Sequence, residues 1–213
     1  MTTLIKPTHV CELETLYACR DAIEYAATHP DAESAWAACT RGDWMLWICG
    51  KLSGPPESDG RQKLVACCCE CARLSLPLYE TQYPDDNRVR TCLDIAERWS
   101  RGEGTLDELL TARRTAYAAA YADADADAAD ADAAAYADAA ADAAAYAAAA
   151  ADADAAADAA AYAAAAAGQR CLAKCADIVR RHYPQPPKIA DCGGVAGKFH
   201  KDAKRTRVIR RLA

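Results

Sequence analysis

The stretch from residue 116 to residue 167 contains no lysine, no arginine, no glycine and no proline. Alanine, aspartate and tyrosine are the only residue types in it. Without glycine or proline, no strong helix breaker interrupts the run, and alanine loses almost no side-chain entropy on becoming helical. Without bases, its ten aspartates, from Asp123 to Asp158, have no local counter-charge. Those aspartates exclude a membrane span, which needs about 20 apolar residues with few charges. Asp123, Asp125, Asp127, Asp130 and Asp132 all fall within one such window. The alanine content excludes disorder of the polar, low-hydrophobicity kind.

Other absences narrow the class further. Met1-Thr-Thr-Leu-Ile-Lys6-Pro7 lacks the apolar core of a secretory signal. The alternation of a half-buried strand is almost missing, which predicts an all-α chain. His9, His29, His182 and His200 are scattered, and none stands with a nucleophile and a carboxylate in a recognisable order. These gaps argue against an enzyme.

As a single helix the alanine run would be about 78 Å long. A compact chain of this length is only about 45 Å across. The run is therefore expected to fold back into two or three helices. The aspartate-dense patches Asp123–Asp132 and Asp152–Asp154 are the expected breaks, because aspartate competes for backbone hydrogen bonds. Asp123/Asp127, Asp138/Asp142 and Asp154/Asp158 are also like-charge pairs one turn apart, each costing about 0.2–0.5 kcal/mol. Tyr117, Tyr121, Tyr136, Tyr146 and Tyr162 would anchor the packing. The repeated word DAAAYA, at 132, 142 and 158, keeps no fixed period, which argues against a solenoid. Three readings of the aspartates stay open: a solvated face, a negative surface for a basic partner, or, ranked last because no threonine occurs in the run, an ice-binding helix.

The net charge of −6 hides an asymmetry. The C-terminal stretch carries Lys198, Lys201, Lys204, Arg205, Arg207, Arg210 and Arg211 against Asp202 alone. It could contact nucleic acid through phosphates, or an acidic surface of the same or a neighbouring chain. The twelve cysteines lie largely in apolar helical segments, where cysteine acts as a small hydrophobe. Free thiols in a reducing cytoplasm are expected, in a bacterial cell or a phage-infected host.

Along the chain, a first helix is expected over about Cys11–Ala27, with Leu13, Leu16, Tyr17, Ile23 and Ala26 on its apolar side. A second runs from Asp31 or Ser34 to Cys39. Gly42 closes it and Asp43 caps the next, Trp44–Leu52, with Trp44 and Trp47 as core. Gly54–Gly60 is a loop. Gln62–Leu76 is apolar all round and reads as the central buried helix. Pro77 and Tyr83–Asn87 read as loop, and Val89–Trp99 as helix, stopped by Gly102 and Gly104. Thr105-Leu-Asp-Glu108 is a capping box launching the helix that feeds the alanine run. A last helix covers about Arg170–Tyr183.

A zinc site can be drawn from Cys68, Cys71, Cys171, Cys175 and His182, but CxxC inside an apolar helix favours core packing. Gly193–Lys198 approximates a phosphate loop with the wrong spacing and no preceding strand. No metal or other cofactor is expected.

The stretch Ala35-Trp-Ala-Ala-Cys-Thr-Arg-Gly-Asp-Trp-Met-Leu-Trp47 resembles the immunity-protein family found in bacterial toxin–immunity loci and frequently in phage genomes. Leu64–Leu78, Arg98–Leu109, the alanine run and Ala176–Pro184 extend that resemblance over roughly residues 10–185. It implies a non-enzymatic protein that binds a toxin or host factor, and it implies no catalytic residues. Arg41, Asp43 and Trp44 match its most recognisable motif.

The expectation is therefore an all-α bundle over residues 1–187, with alanine-rich helices over about 105–168 and a basic tail over 188–213. Partner-binding candidates are Arg41 and Asp43 with Asp123, Asp125, Asp127, Asp130 and Asp132. The tail bases named above are the nucleic-acid candidates. Alternatives are a phage-encoded decoy against a host defence component, or a structural phage protein contacting nucleic acid. No membrane is involved, and self-association remains open.

Overall fold

A computed structural model describes residues 6–56, 58–121 and 171–188. Among these the chain forms nine helices and no strand. They are α1 (Thr8–Thr15), α2 (Arg20–Ala27), α3 (Ala32–Ala38), α4 (Gly42–Lys51), α5 (Asp59–Ala72), α6 (Leu76–Gln82), α7 (Arg88–Ser100), α8 (Leu106–Tyr121) and α9 (Leu172–His182). The all-α expectation is met. Of the alanine run, only its first turns, in α8, lie among the described residues. The aspartates from Asp123 to Asp158 and the basic stretch Lys198–Arg211 lie outside them.

The central helix is α5, as its composition predicts. It packs against α4, α7 and α9, while α8 packs on α7 and α9 on α4. Leu64, Val65, Cys67, Cys68, Cys69 and Cys71 are all fully buried. Cysteine is small enough for three neighbouring helices to approach at once. Every described cysteine is a free thiol, and burial pushes the Cys92 thiol up to about 12. At neutral pH it is a packing group, not a nucleophile.

Helix ends follow local chemistry. Asp31 caps α3 by accepting from Ser34 N–H at 2.7 Å. Ser58 caps α5, whose start lies three residues earlier than its apolar pattern suggests. The capping box of α8 is reciprocal: Glu108 N–H donates to Thr105 Oγ1 at 3.2 Å, and Thr105 N–H donates to Glu108 Oε2 at 3.0 Å. Gly102, at φ 77°, closes α7.

Four expectations need correction. The first helix is two, because Leu16–Ala18 form a Schellman turn. Tyr17 N–H donates to Glu14 O, and Ala18 N–H to Leu13 O. Tyr17 takes the left-handed position (φ 61°) that glycine usually fills, so its side chain is 80% exposed instead of packed. Pro77 does not make a loop. It stands in the first turn of α6, where its missing N–H costs nothing. Trp47 is not core: it is half-buried and outside the buried cluster, whereas Trp44 packs against that cluster's edge.

The fourth correction concerns Gly42. It neither ends α3 nor precedes a cap; it is the first residue of α4, and Arg41 is the N-cap residue. Its role is contact. A methyl group on Gly42 would lie 2.5 Å from Cys175 Cβ and 2.7 Å from Ala176 N. The missing side chain lets α4 lie directly on α9. Gly42→Ala should therefore cost about 1–3 kcal/mol in urea denaturation. Gly104→Ala, whose methyl would meet the flexible tip of Glu108 at 3.3 Å and Trp99 N at an ordinary 3.9 Å, should cost less than half as much.

The α6–α7 junction is tied by Asp86. Its carboxylate accepts from Arg88 Nε and Nη2 and from the hydroxyl of buried Tyr79 at 2.6 Å. The Arg88 bonds lower its pKa to about 2 against the opposing effect of burial. An unfolded aspartate titrates near 3.9, so this group stabilises the fold above that pH. The contribution, about 1–2 kcal/mol, is lost as pH falls from about 4 to about 2. Asp86→Asn should show that loss at pH 7 and a flatter acid limb in a circular-dichroism titration.

Candidate functional site

Two arrangements of described side chains stand out at the surface. The first is at the start of α4. Arg41 donates from Nε to Asp43 Oδ1 at 2.9 Å and from Nη2 to Asp43 Oδ2 at 2.6 Å. This two-pronged pairing fixes the guanidinium plane. Its Cζ lies 4.3 Å from the centroid of the Trp44 ring. Behind Trp44 stands Tyr25 of α2, with ring centroids 5.8 Å apart. Asp43 also sits in the first turn of α4, where the helix dipole favours a carboxylate. The hydrogen bonds to Asp43 raise the Arg41 pKa. Arg41 keeps 38% of its side chain exposed, and Asp43 keeps 13%. The structure thus brings these two predicted residues together as one rigid, neutral unit with Trp44.

The second is the seam between α5 and α9, which run antiparallel: Cys71 meets Cys175, and Lys63 reaches Tyr183. Glu70 accepts from Arg181 and lies 2.8 Å from His182 Nε2. Burial alone would raise the Glu70 carboxyl; the bonds from His182 and Arg181 more than offset it, so its pKa is lowered. Beside this cluster lies a cleft of about 280 Å³ lined by Glu70, Leu74, Lys174, Asp177, Ile178 and Arg181. Its charges balance, so it selects neither an anion nor a cation. His182, drawn into a zinc set on spacing, is spent on Glu70, and Cys68, Cys71 and Cys175 are core. Among the described residues no group of three or more His, Cys, Asp or Glu side chains could hold a metal ion. No described helix is long and apolar enough to cross a membrane.

Sequence reasoning missed the pairing of Glu70 with Arg181 and His182. It also missed that Trp47 and Lys51 share the outward face of α4. The signal for the second was present. Gly42, Met45, Leu46 and Cys49 are buried and mark one side of the helix. At 3.6 residues per turn, the opposite side holds Trp44, Trp47 and Lys51, and the N-cap Arg41 lays its guanidinium over Trp44.

With this geometry in view, residues 55–189 match the family described as "Imm-5 like putative immunity protein". The match covers more than half of the chain, which therefore belongs to that family. It takes in α5 to α9 and all four of the resembling stretches between Leu64 and Pro184. The stretch Ala35–Trp47, with Arg41 and Asp43, lies before it. No curated protein and no solved structure matches the chain. Membership in an immunity family points to a protein partner.

Arg181 and Glu70 are 60% and 42% exposed, so solvent weakens their pairing. Glu70→Gln should cost under about 1 kcal/mol at pH 7. Because the folded Glu70 pKa is lowered, that difference should shrink as pH falls through it, and the two unfolding curves should converge in acid.

Proposed function

We propose that the protein binds and occludes a protein partner and catalyses no reaction. Membership in the immunity family is the observation that carries this reading. The start of α4 supports it. Arg41 is locked by Asp43 and Trp44 before any partner arrives, so little side-chain entropy is lost on docking. Arginine and tryptophan are also the residue types that dominate binding hot spots. The protein acts where it is made, in the cytoplasm, by covering the surface its partner needs.

The test is affinity capture from host lysate at about 0.15 M salt, where surface charge is screened beyond about 8 Å, with and without nuclease. A nuclease-resistant protein should be retained. Its expression alone should arrest growth, and co-expression of the wild-type chain should restore it. Arg41→Ala should weaken capture by about tenfold, the loss of one hot-spot contact. Release of all bound material by nuclease would transfer the function to the basic stretch Lys198–Arg211 and overturn the immunity reading.

A further inference from the structure

We propose that the outward face of α4, formed by Arg41, Trp44, Trp47 and Lys51, docks an acidic segment of the protein partner. The proposal rests on the partner-binding reading above and names the surface and the chemistry it selects. Trp44, Trp47 and Lys51 recur at helical spacing on the side away from α9, and the N-cap Arg41 lies over Trp44. Each tryptophan carries a cation: Arg41 Cζ stands 4.3 Å from the Trp44 centroid, and Lys51 Nζ stands 5.0 Å from that of Trp47.

Charge decides what fits. Arg41 is offset by Asp43, while Lys51 has no carboxylate within 4.0 Å among the described residues. The face is therefore positive on a chain whose net charge is −6. Trp47 lies outside the core cluster and is partly exposed, with Lys51 over its ring. Stacking over the rings pins both cations in place, which lowers the ordering cost of docking. Nucleic acid fits less well. One face of each ring already carries a cation, and the surface offers two bases, few beside a nucleic-acid binder that makes about six to ten phosphate contacts. An acidic peptide segment with an apolar side chain meets both Lys51 and Trp47.

Zero-length carbodiimide coupling tests this on the full chain, with a short N-acetylated glutamate-rich peptide as probe. It joins an amine to a carboxylate only where the two pair. Mass spectrometry should place the adduct at Lys51, above the level at Lys198, Lys201 and Lys204, and the peptide should shift tryptophan fluorescence. Trp47→Ala should reduce both signals by about tenfold. Lys51→Glu, a change at the surface that leaves the core intact, should abolish the fluorescence response even if Trp47→Ala proves unstable. Adducts confined to the tail lysines would overturn the proposal. So would coupling of Lys51 to the chain's own aspartates, or an equal fluorescence response to an oligonucleotide. A captured growth-arresting partner that still binds Lys51→Glu would overturn this surface and leave the immunity reading standing. Failure to capture any partner, with peptide coupling at Lys51 intact, would do the reverse.

Discussion

The contact on which the arrangement depends is the seating of Gly42 against Cys175 and Ala176. It fixes how closely α4 approaches α9, and other long-range bonds follow from it. Trp36 Nε1 donates to Tyr183 O at 2.9 Å, joining α3 to the end of α9. Arg180 donates to Cys39 O at 2.7 Å and to Trp36 O at 3.2 Å, satisfying carbonyls that the end of α3 leaves open. A cation at a helix C-terminus is also favoured by the dipole. Moving α4 outward by even a methyl radius would stretch these bonds together.

The cysteines serve the same end by a different route. A central helix touched on three sides cannot carry large side chains on all of them without holding its neighbours apart. Cys67, Cys68, Cys69 and Cys71 fill α5 with small, weakly polar groups, and Leu64 and Val65 supply bulk. The cost of a thiol in this setting is chemical, and burial removes it by holding the thiols above their ordinary pKa.

What was legible in the sequence was whatever local chemistry decides. The capping box at Thr105–Glu108, the cap at Asp31, the stop at Gly102 and the burial of the cysteine-rich helix each depend on a few adjacent residues. What was not legible depends on partners distant in the chain. Gly42 resembles a helix stop until α9 is placed against it, more than 130 residues later in the chain. Tyr17 gives no sign that it will adopt the backbone conformation of a glycine; the turn is set by where α1 and α2 must pack. Pro77 reads as a breaker unless the helix begins there. For the candidate site, the grouping of Arg41, Asp43 and Trp44 was visible from their adjacency. The outward setting of Trp47 was not, because two tryptophans in an apolar segment suggest core until the buried side of that helix is known.

The same geometry separates what holds α4 from what α4 displays. Gly42, Met45, Leu46, Cys49 and Gly50 are buried, whereas Trp44, Trp47 and Lys51 lie on the opposite side, with Arg41 over Trp44. Trp44 touches both sets, packing against the cluster's edge and Tyr25, whereas a change at Lys51 leaves the packing against α9 and α5 intact. The family match covers α5 to α9, the scaffold, and ends short of α4. A binder built this way can retain one fold while its contact surface is re-specified residue by residue. On the proposed docking, affinity for a partner would depend on the outward side chains, and stability on the inward ones. Gly42 is where the two requirements meet. It brings no side chain to either set, and its closeness to Cys175 determines where the displayed face points.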